Sequence, residues 1–157
     1  MKERLLTSAQ NLDKVSEAAG KEFSSRAGEM AAQCSRVIAD RPDLEQLIGD
    51  RKNLDMAVDN NRNFARFMDA MFSDFNADVL VETVIWVFRT YRAHGFNTTY
   101  WAANLNIWAD TLESELSPET FQAVSPYYKW LIVNIPLFVK LTDLPAEPGD
   151  GEAGHAH

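Results

Sequence analysis

Apolar residues recur along this chain at steps of three and four, the spacing of one helix face. Phe23, Ala27, Met30, Ala31, Cys34, Val37 and Ile38 form a stripe over four turns. Asp40-Arg-Pro42 reads as the end of that helix, and Leu44, Leu47 and Ile48 mark a short one stopped by Gly49. A weaker pattern with Leu12 and Val15 predicts a helix over 7–19. Residues 53–73 place Ala57, Phe64, Phe67, Met68, Met71 and Phe72 near one face, and Asn60 and Asn61 extend that stripe with amides.

Asn76 or Asp78 caps the next helix, which runs to Ala93 and stops at Gly95, a C′ glycine. Its stretch 79–88 is apolar nearly all round, which predicts the central helix of the fold. Asn97 or Thr98 starts a helix carrying Trp101, Leu105, Trp108 and Leu112. Ser117-Pro118-Glu119 combines a cap, a proline at N1 and an acid in the first turn. Ser125-Pro126 repeats the cap-and-proline pair, as a restart or a kink, and Pro136 ends or bends the last helix. No segment alternates strictly enough to predict a strand. The pattern therefore predicts an all-α domain of six to eight helices over 1–141. Residues 142–157 are small, polar and without period, and are expected to be a disordered acidic tail.

Sixteen of the seventeen aromatic residues lie between Phe64 and Phe138, which assigns the deep core to the last four or five helices. Residues 7–40 are expected as a lighter layer or a dimer surface. The length of 157 residues and 46% hydrophobic content suit one domain with a real core and exclude disorder as the main state. The longest apolar run, Val84-Ile-Trp-Val-Phe88, falls far short of the ~20 residues of a membrane span. A net charge of −8 argues against nucleic acid as a partner, and half of it comes from Asp143, Glu147, Asp150 and Glu152, which have no basic neighbours in sequence. Cys34 stands alone on an apolar stripe, as a small core residue. With no disulfide pair and no apolar segment near Met1, the expected compartment is the cytoplasm.

Catalytic and metal motifs are sparse. The one Glu-x-x-His spacing, Glu152 to His155 with His157 beside it, falls in the tail, so no metal site is expected. No nucleophile elbow or phosphate loop occurs. His94 is the one histidine of the folded part, and its place at a helix C-terminus reads as a cap favouring the dipole. Two features stand out. The stretch 86–101 is dense in aromatics and cations, with Arg89 and Arg92 flanking Tyr91, and Arg62 and Arg66 sit one turn apart on the preceding helix. Such a set can hold an anionic ligand or an acidic partner segment, or else it is an aromatic core corner with surface arginines. In Asn60-Asn-Arg-Asn63 three amides enter a core stripe, as a buried network, as the wall of a cavity or partner site, or simply exposed by a small helix rotation.

Helix number, chain length and short linkers match the globin plan. The stretch 91–101, Tyr-Arg-Ala-His-Gly-Phe-Asn-Thr-Thr-Tyr-Trp, resembles the proximal corner of bacterial sensor globins, where a haem-ligating His precedes a small-residue turn and an aromatic pair. In the best register that ligand position falls on Tyr91, so the chain is most similar to the non-haem globin domains at the N-termini of stressosome scaffold proteins. The resemblance implies a dimeric sensory module without cofactor. The expected function is a non-enzymatic regulatory domain acting through protein contacts, with a homodimer and an unidentified protein as partners. Its candidate ligand set is Tyr91, Arg89, Arg92, His94, Arg62, Arg66, Asn60 and Asn61. The alternatives are a haem-binding gas or redox sensor ligated by His94 or Tyr91, and a small enzyme built around His94.

Overall fold

A computed structural model describes residues 1–143; the expected tail from 144 on, with Glu152, His155 and His157, lies outside the described residues. The described chain is all-α. Its helices are α1 (Lys2–Ala9), α2 (Glu17–Ala39), α3 (Leu44–Ile48), α4 (Leu54–Ser73), α5 (Ala77–Ala93), α6 (Thr99–Glu115), α7 (Pro118–Val133) and α8 (Ile135–Asp143), with a 3-10 turn (Arg51–Asn53) before α4. Among the described residues no helix is long and apolar enough to cross a membrane.

Side-chain caps set the boundaries. The Asn76 carboxamide accepts from the Val79 amide at 3.0 Å, and the Ser117 hydroxyl accepts from the Thr120 amide at 3.3 Å. Ser16 caps α2 by accepting from Ala19 at 3.2 Å, so the predicted helix over 7–19 does not form. Instead α1 ends at Ala9, and Leu12 and Val15 lie in the connection, with Val15 buried. Ser125-Pro126 neither ends nor restarts a helix, since α7 continues through Pro126. The last break falls one residue earlier than Pro136 suggests, with Asn134 ending α7 and Pro136 inside the first turn of α8.

The centre of the fold is not α5. Helix α2 packs against α4, α6 and α7, and α6 packs against α7, whereas α5 lies on one side between α1 and α8. Ala27, Ala31, Cys34 and Ser35 give α2 a narrow face that lets neighbouring backbones approach closely. Counting aromatics therefore understates what this helix buries. The N-terminal region is core and no lighter layer: Leu5 and Ala9 are fully buried, and Tyr127 donates to the Asp13 carbonyl at 2.7 Å. Asp143, expected in the tail, ends α8 and pairs with Arg92.

Two glycine turns lock the α5–α6 corner to the end of α3. Gly49 and Gly95 both have positive φ, at 86° and 96°. A Cβ on Gly49 would overlap the Gly95 carbonyl, so glycine is required there twice over. Asn53 bridges the two turns by donating to the carbonyls of Ile48 and His94, at 2.9 and 3.0 Å.

Candidate ligand cavity

The cavity that matters most is a partly open one framed by α4, α5 and α6, with Leu131 of α7 in its lining. Its volume is about 180 Å³. Phe64 and Phe67 face it from α4, Val84, Val87 and Phe88 from α5, and Trp101 and Leu105 from α6. The apolar surplus of α5 is thus spent partly on a cavity wall, which is why a helix apolar all round is not surrounded by protein. Polar atoms enter from Asn60, Asn63, Thr83, Thr90, Tyr91 and Asn104, and no lining side chain carries a charge at neutral pH. Tyr91 stays a neutral phenol, since burial, reinforced by the charge of Asp59, pushes its hydroxyl up to about 12.

Behind the wall runs a buried amide network. Asn61 is fully buried; its oxygen accepts from Trp108 Nε1 at 2.9 Å and from Asn104 Nδ2 at 2.7 Å, while its nitrogen donates to Ser35 Oγ at 3.1 Å. Trp108 can only donate, so the atom of Asn61 facing it must be oxygen. Asn104 must then turn its nitrogen toward Asn61. Its own oxygen is left with no hydrogen bond among the described residues. Trp101 Nε1, one turn earlier on α6, is likewise buried and unpartnered. The Trp101 ring is held by stacking on Phe88 at 4.4 Å and by the edge of Tyr91 at 5.6 Å. Asn60 joins the same layer by donating to the buried Tyr100 hydroxyl at 3.1 Å.

The structure divides the predicted set. Tyr91 and Asn60 line the cavity, and Asn61 stands directly behind it. Arg89 and Arg92 turn the other way, onto α8: Arg89 donates to the Leu141 carbonyl at 3.3 Å, and Arg92 reaches the Val139 carbonyl at 3.1 Å, Thr142 Oγ1 at 2.9 Å and Asp143 at 2.5 Å. Arg62 pairs with Asp59 at 3.1 Å. Arg62 and Arg66 also flank a separate groove between α2 and α4 lined by Ala27, Gly28 and Ala31. His94 is exposed at the end of α5, where Nδ1 meets the Thr90 carbonyl at 2.8 Å. The cationic corner suggested by the sequence is therefore not one site.

Cys34 is core. Its thiol sits 3.5 Å from Thr111 Oγ1, and burial pushes it up to about 12. No group of three or more His, Cys, Asp or Glu that can hold a metal ion occurs among the described residues. Of the two candidate haem ligands, Tyr91 lines the cavity and His94 lies outside the lining. Sequence reasoning missed Trp101 and Asn104 as a pair. The available signal was an asparagine three residues after a tryptophan on a helix whose inward face is otherwise apolar but for Thr111.

No family model matches the chain, and neither a curated protein nor a solved structure matches it.

Proposed function

We propose that this chain is a non-enzymatic regulatory domain that senses a small neutral molecule in the cavity between α4, α5 and α6. The observation that carries the reading is the partly open, uncharged and aromatic-lined cavity that backs onto the buried Asn61 network. A ligand there touches three helices at once, so its binding energy bears directly on their relative packing. The wall offers tyrosine, threonine and amide groups but no ionised acid or base, which favours binding over catalysis. The resemblance of 91–101 to sensor globins agrees with a sensory role in a globin-like fold, and a homodimer is the assembly that resemblance implies.

Native mass spectrometry of freshly purified protein, with its absorption spectrum, tests this reading. The expected result is a colourless protein carrying a small molecule, with species at twice the 17.7 kDa chain mass. A Soret band would replace this reading with the haem sensor. Substrate turnover abolished by His94→Ala would replace it with an enzyme.

A further inference from the structure

We infer that the cavity selects a neutral, ring-sized molecule bearing one hydroxyl group, which is held between Trp101 and Asn104. This rests on the cavity being a ligand site and adds the chemical class of its occupant. The two unpartnered atoms are of opposite kind: Trp101 Nε1 can only donate, and Asn104 Oδ1 can only accept. They belong to residues three apart on α6, which share a helix face at ~5–6 Å between Cβ atoms. Both residues line the cavity, and both are at least nine-tenths buried, at 5% and 3% exposure.

The pairing is not an accident of how the amide is drawn. Trp108 fixes Asn61, Asn61 fixes Asn104, and the chain of donors leaves Asn104 Oδ1 as the unpaired acceptor of a cavity-lining residue. A single hydroxyl answers both atoms, because it carries one hydrogen to give and lone pairs to receive. A thiol or an ether answers at most one of them well. An ionised carboxylate or phosphate would sit uncompensated beside Phe64, Val87 and Leu105, since no lining residue is a cation. The volume of about 180 Å³ sets the rest of the molecule at one ring or a short aliphatic chain.

The test uses phenol and toluene, which match in shape and differ in the hydroxyl, titrated calorimetrically into the full chain and into Trp101→Phe. The variant keeps an aromatic ring for the Phe88 stack and removes only the donor and part of the ring. Relative to toluene, phenol should weaken about tenfold in Trp101→Phe, the value of one buried hydrogen bond. In the unaltered chain, the Trp101 indole N–H resonance should move downfield with phenol and not with toluene, a readout that does not depend on the variant folding. If both ligands bind and lose affinity equally, with no indole shift, water satisfies the two atoms and the hydroxyl class is wrong while the ligand cavity stands. If neither binds at millimolar concentration, the cavity is not a ligand site and both readings fail.

Discussion

Replacing Asn61 by leucine probes the buried network at its hub. Leucine nearly matches asparagine in shape, so the change removes hydrogen bonds with little change in volume. Trp108 Nε1 and Asn104 Nδ2 both lose their acceptor, and Ser35 Oγ loses its donor, all in a fully buried layer. Two orphaned donors at ~2 kcal/mol each, less ~1 kcal/mol regained by burying an apolar side chain, leave a net loss of about 3 kcal/mol. The assay is urea unfolding followed by tryptophan fluorescence, with a lower midpoint and an unchanged slope expected. A double-mutant cycle with Trp108→Phe isolates one bond. Once the indole donor is gone, Asn61→Leu should cost about 2 kcal/mol less than it does alone. A loss under ~0.5 kcal/mol for Asn61→Leu, the range of ordinary surface changes, would refute the reasoning.

Three further outcomes follow from the same geometry. Gly49→Ala should destabilise by about 3 kcal/mol, since left-handed backbone costs ~1–2 kcal/mol and the Gly95 carbonyl must also move; Gly95→Ala, with open space at its Cβ, should show only the backbone cost in the same urea assay. Glu22 accepts from the Ser117 amide, the Thr120 hydroxyl and the Ser117 hydroxyl, each at 2.7 Å, which holds its carboxyl below the ordinary glutamate value of 4.5. The unfolded chain therefore takes up that proton first as pH falls, and stability should drop below pH 4.5 through the lowered value, with a shallower acid limb in Glu22→Gln when melts are compared across pH. Cys34, fully buried with its thiol raised to about 12, should resist thiol reagents at neutral pH and react stoichiometrically once guanidinium unfolds the chain.

Helix periods and caps are strong local signals, and Asn76, Ser117, Gly49 and Gly95 act in the structure as their sequence contexts predict. Long-range geometry is a different matter. Whether α2 or α5 lies at the centre depends on how closely backbones approach, and small residues such as Ala27 and Ala31 decide that without showing high hydrophobicity. The arginines misled for a related reason. A guanidinium on a long stem reaches whichever carbonyls the tertiary fold brings near, and for Arg92 these belong to α8, some fifty residues away. Asn60 and Asn61 were visible as amides out of place, but their partners on α6 were not, because nothing local ties Asn104 to residues on α4.

The claim that the α4–α5–α6 cavity takes up a small apolar-bodied ligand is tested most directly by following backbone amide resonances while benzene is titrated into the protein. A parallel titration into Leu105→Trp, which fills the space, serves as the control. The account predicts saturable shifts confined to residues around Phe64, Val87 and Trp101 in the unaltered chain, and none in the filled variant. Shifts that do not saturate, or that appear equally in both proteins, would contradict it.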